Sequence, residues 1–505
     1  METRIPRLLF VAGLAGVLAG SRLAAQDVVE AAPELLTAES RYYRIVDVPT
    51  PKAVALEVGG LLALGDGSVL ASTRRGEVWR IRDAYGPAPQ FDLWARGLHE
   101  PLGLLAHGGW IYVAQRGELT RMKDADGDGR ADLFETVCDF WKISGNYHEY
   151  NFGPRLDAEG NLWITTNKPF GDEPFGRVDW RGWALRIAPG GSIEGVCAGL
   201  RSPAGIEASP AGEMFYTDNQ GEWCGASKLS HLEVGDFHGH PWGIAAAKLP
   251  QSRVAPVEQP PSGMLMPDYA TRNPAFKLPA VWFPYDKMGK SPSGFVWDTS
   301  AGAFGPFAGQ VFVGDQHHAM VIRVSLEQVG GRWQGACYPF KYGFASGIVR
   351  VAWGEDGSLL AGMTNRGWGS RGGSEQGLQR LEWTGAVPFE IQAMTALPDG
   401  FRLRFTQPAD PATAADPSAY ALQSYTYKLH SDYGSPESDV QPLAVAAAAL
   451  AADGLSVDLH VEGLREGYVH ELIAAGVRAP DGRALLHAQA YYTLVRIPPA
   501  TPAGR

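Results

Sequence analysis

The sequence contains few cysteines: Cys138, Cys197, Cys224 and Cys337 are the only four among 505 residues. Their spacing matches no zinc motif and no Cys-x-x-Cys-His run occurs, which excludes a zinc finger and an attached c-type haem. In an oxidising compartment four cysteines allow up to two disulfides, such as Cys197–Cys224. The sequence is equally compatible with four small, buried apolar side chains.

Long basic runs and long apolar runs are also missing. The formal net charge is −11 and the isoelectric point is about 5.6. This balance excludes nucleic acid and anionic membrane as partners. After the N-terminal segment no stretch reaches 18 apolar residues, so we expect no membrane span.

The N-terminus has the pattern of a secretory signal peptide. Arg4 and Arg7 precede an apolar run over residues 8–18, and small residues at 24 and 25 provide a cleavage site before Gln26. We therefore expect residues 1–25 to be a signal peptide and the protein to be exported, either periplasmic or secreted. Residues 26–50 then form an acidic, proline-bounded lead-in.

Glycine and proline are abundant, with 62 and 36 residues, and they punctuate a recurring pattern. A glycine turn, an aromatic–aliphatic strand and a glycine return follow one another six times. The six segments are residues 55–83, 97–123, 148–188, 199–243, 293–326 and 346–383. Repetition of one antiparallel unit predicts an all-β chain with a six-bladed β-propeller over residues 51–386.

Two stretches depart from this pattern. Residues 244–292 form a proline-rich connection, which is either a lid or site wall or a rigid surface excursion. From residue 388 onward, strands are predicted over 401–405, 456–461, 468–473 and 488–494. Their alternation predicts a small immunoglobulin-like sandwich over 387–496, followed by a tail over 497–505.

An acidic loop between the predicted strands 119–122 and 136–141 has the spacing of an EF-hand calcium loop, with glycine at its sixth position. A solvated acidic turn is the alternative. Because strands rather than helices flank the loop, we expect a structural Ca²⁺ that ties down a connection. The predicted ligands are Asp124, Asp126, Asp128, Arg130 through its carbonyl, Asp132 and Glu135.

Candidate functional side chains lie where the predicted blades begin. His148 opens the third blade and is the best general-base candidate, with Glu149 or Asp172 to orient it. Arg201 enters the fourth blade, where it either binds an anionic ligand or pairs with a carboxylate. Aromatic residues in turns provide faces for stacking on sugar rings, although most tryptophans of such a fold are core; they are Trp141, Tyr147, Trp223, Trp242, Trp282 and Trp368.

Several motifs resemble those of the glucose/sorbosone dehydrogenase family, soluble quinoproteins on six-bladed propellers. They are GLRSPAG (199–205), ASPAGEMFYTDNQG (208–221), SHLEVGDFHGHPWG (230–243) and HEYNFGPRLDAEGNLWIT (148–165). A broader set of motifs, including GNYHEYNFGP and TNRGWGS, is still more similar to a planctomycete-type group of membrane-bound dehydrogenases. Many members of that group carry a haem module, which this sequence lacks.

The resemblance implies a quinoprotein that oxidises a carbohydrate, with His148 as the base. It implies pyrroloquinoline quinone (PQQ) and Ca²⁺ as cofactors, and an electron acceptor such as a cytochrome as a partner. The cofactor-binding residues that it implies are Arg201, Asn219, Gln220, Gly221, Glu222, His317 and Arg350. Of these, Gln220 and the carbonyls of Gly221 and Glu222 are expected to hold the Ca²⁺. The sequence departs from the family at Ser202, where asparagine is usual, at Gln316–His317, where a lysine is missing, and in blade six, where Arg350 stands alone.

Two other functions are compatible with the sequence. One is a non-catalytic carbohydrate- or protein-binding propeller that has lost the cofactor. The other is a metal-dependent hydrolase or lactonase in which His148, Asn167 and Asp218 act as ligands or bases.

Overall fold

The computed structural model describes residues 31–170 and 178–500, so the predicted signal peptide and Asp172 lie outside the described residues. Strands far outnumber helices in the described chain, whose first elements are α1 (Pro33–Ser40) and β1 (Tyr43–Asp47). Within these two ranges, no helix has the length and apolar character needed to cross a membrane.

Three four-stranded antiparallel sheets follow in chain order. The first contains β2 (Val58–Ala63), β3 (Val69–Thr73), β4 (Glu77–Arg82) and β5 (Gln90–Arg96). The second contains β6 (Leu104–His107), β7 (Trp110–Ala114), β8 (Leu119–Lys123) and β9 (Leu133–Cys138). The third contains β10 (Asn151–Leu156), β11 (Leu162–Thr166), β12 (Trp183–Ile187) and β13 (Ile193–Ala198).

Three more sheets continue the pattern. The fourth contains β14 (Pro203–Ala208), β15 (Met214–Asp218) and β16 (Ser227–His231), and after β17 (Met264–Leu265) and α2 (Met266–Arg272) it is completed by β18 (Val281–Phe283). The fifth contains β19 (Pro292–Trp297), β20 (Val311–Asp315), β21 (Met320–Val329) and β22 (Arg332–Lys341). The sixth contains β23 (Ile348–Trp353), β24 (Leu359–Thr364), β25 (Gln376–Trp383) and, at its outer edge, β1.

The first strands of the six sheets contact one another in a closed series: β2–β6–β10–β14–β19–β23–β2. Glycine makes this close approach possible, since a Cβ on Gly103 would lie 2.3 Å from the Gly153 carbonyl oxygen. Every residue of the second strand is buried in five sheets, because each of these sheets packs between two neighbours. All-β structure in repeated four-stranded sheets is consistent with a β-propeller.

The C-terminal region begins with β26 (Ile391–Leu397), β27 (Gly400–Phe405), α3 (Pro411–Ala414), β28 (Ala421–Thr426) and β29 (Lys428–Leu429). It ends with β30 (Ser438–Leu443), β31 (Val445–Leu450), β32 (Ser456–Val461), β33 (Tyr468–Ile473) and β34 (Gln489–Leu494). One sheet has the order β26-β27-β32-β31. The other, β34-β33-β28-β30, extends the fifth sheet through pairing of β22 with β34.

This continuity differs from the separate sandwich that the sequence predicts. Ala336 and Tyr338 of β22 belong to the same buried apolar cluster as the C-terminal strands, so one long strand serves both parts of the chain. The assignment of an immunoglobulin-like fold stays a prediction.

All four cysteines are free, and Cys197, Cys224 and Cys337 are buried. The Cys197–Cys224 disulfide is therefore not formed. Burial raises the pKa of the Cys224 thiol to about 12, which keeps it neutral at physiological pH. These three cysteines are small buried side chains, which is the second of the two possibilities that the sequence allows.

Candidate functional site

A cavity of about 190 Å³ lies where the innermost strands of the described sheets begin. Phe152 at the start of β10, Pro203 at the start of β14 and Ser293 at the start of β19 all line it. Because these strands converge on one axis, the residues that precede them are brought together from distant parts of the sequence. The cavity contains the predicted residues His148, Arg201 and Asn219. It also contains three other candidates from the sequence, Tyr147, Asn167 and Trp368.

Cationic side chains dominate the charge of this cavity. Among the described residues that line it, four are lysine or arginine and none is aspartate or glutamate. Each cation has a carboxylate outside the lining: Arg74 with Glu100 at 2.5 Å, Arg201 with Glu222 at 3.1 Å, Lys290 with Asp286 at 3.1 Å and Arg366 with Glu57 at 2.9 Å. An anionic ligand would therefore meet positive groups that are already held in place.

His148 is buried in the cavity wall, with 5% of its surface exposed. Its Nδ1 lies 2.7 Å from the carbonyl oxygen of Lys168, which only accepts hydrogen bonds, so Nδ1 carries the proton. Its Nε2, 3.0 Å from the Ser202 hydroxyl, is consequently the unprotonated acceptor. Burial, and after it the charge of Arg201, holds the pKa of His148 well below its usual 6.5.

The His148 ring is also fixed by an aromatic contact. It stacks on Phe170 with ring centroids 3.6 Å apart and an interplanar angle of 28°. Phe170 has a second role, since the Arg201 guanidinium carbon lies 4.9 Å from the centre of its ring. The base candidate and the main cation therefore share one aromatic support.

Arg201 is almost completely buried and is held by Glu222, which also pairs with Lys168. Burial lowers the pKa of Arg201. The guanidinium lies directly over Gly221, where a Cβ would come within 1.8 Å of Nε. Gly221 and Glu222 thus support Arg201 from outside the cavity and do not face a ligand.

The remaining predicted cofactor residues are placed away from the cavity lining. Gln220 donates its side-chain amide to the Gly225 carbonyl, and His317 donates Nδ1–H to the Gly369 carbonyl. Arg350 lies beneath the cavity, where its guanidinium donates to the carbonyls of Gly59, Ala204 and Val349. Its donors join three sheets, and burial lowers its pKa to about 9. The geometry therefore gives Arg350 a structural role.

Two amide oxygens in the cavity wall lack partners. Oδ1 of Asn167 and Oδ1 of Asn219 are buried and accept no hydrogen bond from the residues that the structure describes. Buried acceptors without donors are costly, so they favour a ligand with hydroxyl or N–H groups at this place.

Several residues that line the cavity are not among the predicted site residues. Arg74, Lys290 and Arg366 are cations outside the motifs that drew attention to Arg201, although Lys290 shares its position just before the first strand of a sheet. Tyr433 reaches the cavity from the C-terminal region, and no local pattern in the sequence points to it.

The acidic loop lies between β8 and β9, and Asp124, Asp126 and Asp128 bring one carboxylate oxygen each to within 4.8 Å of one another. Asp132 is not part of this group, although its carboxylate, like the other three, accepts from a backbone amide of the loop. Because β9 begins at Leu133, Glu135 lies within a strand and pairs with Arg121 of β8 at Nε, 2.8 Å away. The second flanking strand thus begins at residue 133, earlier than the predicted 136, and the Glu135 carboxylate accepts a hydrogen bond from Arg121.

A family model described as Domain of unknown function (DUF7133) matches residues 69–334, and no curated protein matches the sequence. Among solved structures, the PQQ-bound aldose sugar dehydrogenase of Streptomyces coelicolor is 17% identical, with a TM-score of 0.49 over 67% of this chain and 98% of that chain. The apo form of the soluble aldose sugar dehydrogenase of Escherichia coli is 17% identical, with a TM-score of 0.44 over 68% and 100%. A Thermus thermophilus protein described as an oxidoreductase (glucose dehydrogenase) is 20% identical, with a TM-score of 0.48 over 67% and 99%. These proteins are of the kind that the sequence resembles.

Proposed function

The chain belongs to the DUF7133 family, whose description leaves the function unknown, and we propose that this member is an exported quinoprotein-type dehydrogenase that oxidises a sugar or a related carbohydrate alcohol. The proposal includes the predicted six-bladed propeller over residues 51–386, to which β1 is added as the outer strand of the sixth blade, and an immunoglobulin-like sandwich over 387–496. An electron acceptor such as a cytochrome would complete the reaction.

The position of His148 is the observation that carries this proposal. A neutral imidazole in the wall of a cation-lined cavity, with Nδ1 committed to the Lys168 carbonyl, leaves Nε2 as the proton acceptor. In the proposed reaction the substrate hydroxyl replaces the Ser202 hydroxyl at this nitrogen, which takes the hydroxyl proton while the C–H bond on the same carbon is broken. The unpartnered oxygens of Asn167 and Asn219 would accept hydrogen bonds from other hydroxyls of the sugar.

The residues of the cavity fit PQQ, a planar tricarboxylate. Arg201, Arg74, Arg366 and Lys290 would bind its carboxylates, and the Phe170 side of the wall offers an aromatic surface. When bound, the quinone would supply the acceptor for the hydride that leaves the substrate carbon. The set of cations differs from the one that the resemblance implies, since Arg350 and His317 are absent from the lining.

A Ca²⁺ at Gln220, Gly221 and Glu222 does not fit the geometry. Glu222 is shared between Arg201 and Lys168, and the Gly221 carbonyl accepts from the Cys224 amide. We therefore place the proposed Ca²⁺ only in the acidic loop, at Asp124, Asp126 and Asp128, where it would be structural.

Reconstitution of the purified protein tests the redox function. The protein is incubated with PQQ, then assayed for dye reduction with a sugar panel, and quinone binding is followed separately by the shift in melting temperature. We expect dye reduction that requires both quinone and sugar. Quinone-independent sugar binding without dye reduction would instead indicate a binding protein, and metal-dependent lactone turnover would indicate a hydrolase.

A further inference from the structure

A loop of the C-terminal region, residues 430–435, lies at the cavity and is called the mouth loop below. It follows β29, which pairs with β17 of the proline-rich connection. The carbonyl of His430 accepts from the Trp223 amide at 2.6 Å, and the Ser435 amide donates to the Gly225 carbonyl at 3.0 Å. The loop is therefore fixed at both ends to the segment that follows β15.

The centre of the mouth loop also packs closely against residues at the cavity. Gly434 has φ +71° and lies against Gln220, whose Cδ would be 2.8 Å from a Cβ at position 434. The neighbouring Tyr433 lines the cavity, and its ring centre lies 5.2 Å from the guanidinium carbon of Arg201. Arg201 thus contacts two aromatic rings, Phe170 from the connection that follows β11 and Tyr433 from the C-terminal region.

Tyr433 nevertheless remains 55% exposed. Two other lining residues, Tyr147 and Trp368, are 61% and 42% exposed. Three exposed aromatic side chains around one cavity provide exposed apolar surface, and such surface is typical of binding sites. Aromatic side chains with a polar tip suit a ligand that has both C–H faces and hydroxyl groups.

We propose that the C-terminal region supplies a wall of the binding site through Tyr433, and that this side chain contacts a neutral sugar ring at the mouth of the cavity. The inference rests on the proposed function for the class of ligand. The contacting residue itself lies outside residues 69–334, the part that the family model matches. The C-terminal region is thus part of the binding site and not only a packing module.

A glycan array probed with the full chain, without added quinone, tests this inference independently of the redox reaction. Wild type is expected to bind at least one neutral saccharide. The Tyr433→Ala variant should bind that saccharide about tenfold more weakly, as expected for loss of one contacting aromatic side chain. Tyr433→Phe should retain most of the affinity, because the ring is kept.

Phe134→Ala is the matched control, because Phe134 is also an exposed ring, at 43%, but lies on β9 and not at the cavity. It should bind like wild type. Equal binding by Tyr433→Ala and wild type, or no saccharide binding by wild type, would overturn the inference. Sugar binding that depends on Tyr433 without any quinone-dependent dye reduction would keep the inference and remove only the redox function.

Discussion

The protonation state of His148 is set by its immediate neighbours. A charged imidazole is disfavoured by burial and by Arg201, and the Lys168 carbonyl fixes which nitrogen carries the single proton. In the proposed reaction the neutral form is the active one. We therefore expect the acid limb of the kcat/KM profile well below pH 6.5, since the lowered pKa keeps His148 unprotonated there.

Replacement of His148 tests its role directly. His148→Gln should reduce kcat/KM for dye reduction by about 10²–10⁴-fold, the usual contribution of a general base. His460→Gln is the control, because His460 is an exposed histidine bonded to Asp399 in the C-terminal region. Full activity in His148→Gln would rule out the base role.

Ser202 gives a second prediction for a single side chain. Its hydroxyl donates to Nε2 of His148, and a donor to the neutral base stabilises the neutral form and lowers the pKa. Ser202→Ala should therefore move the acid limb to higher pH, by up to about one pKa unit, because such a hydrogen bond contributes about 0.5–1.5 kcal/mol. A pH–rate series on both proteins measures the shift, and a movement to lower pH would contradict the hydrogen-bond assignment.

The acidic loop between β8 and β9 supports a prediction about calcium. If Asp124, Asp126 and Asp128 hold the ion, Ca²⁺ at 100 times its Kd should stabilise the fold by about 2.7 kcal/mol, and a chelator should reverse this. Thermal unfolding with and without Ca²⁺ measures the effect, which Asp124→Asn should remove.

Glu135→Gln is the informative control for that experiment. The EF-hand spacing predicts Glu135 as the twelfth-position ligand, whereas its side chain pairs with Arg121 across the strand pair. We expect this variant to keep the Ca²⁺ response. Loss of the response in Glu135→Gln would restore the arrangement that the spacing predicts.

Strands whose signal is local are the ones that the sequence predicts well. The predicted strands 456–461 and 468–473 have the same bounds as β32 and β33, because turns and alternation define them within a few residues. No strand was predicted over β1, which pairs Tyr43 with Trp383 across most of the chain. Two strands so far apart in the sequence produce no local pattern that would predict their pairing.

The residues of the candidate site also differ in whether a local sequence signal predicts them. His148 and Arg201 were found because both precede the first strand of a sheet, where a ring of sheets brings side chains together. Arg350 instead lies within β23, and its donors are used by carbonyls of three sheets, which only the assembled structure reveals. Tyr433 depends on the pairing of β17 with β29, between two irregular regions.

One buried cluster connects the two ends of the described chain. His487 donates Nδ1–H to Glu390 at 2.7 Å and Nε2–H to Glu39 at 3.1 Å. Glu39 belongs to α1, and its other oxygen accepts from Lys341 of β22 at 3.0 Å. The imidazolium therefore links the N-terminal helix to the C-terminal region. This link lies beside β22, the strand that joins the fifth sheet to β34 of the C-terminal region.

Alkaline pH should weaken this junction. Burial alone would lower the pKa of His487, but Glu390 and Glu39 outweigh it and raise the pKa to about 9. Because the folded-state pKa exceeds the usual 6.5, the stabilisation is complete below pH 6.5 and is lost as the pH rises through about 9, on the order of 3 kcal/mol in all. Thermal unfolding from pH 6 to 10 should show a steeper loss of stability in wild type than in His487→Gln, which cannot titrate at this position. Parallel curves for the two proteins would show that the protonated histidine does not stabilise the junction.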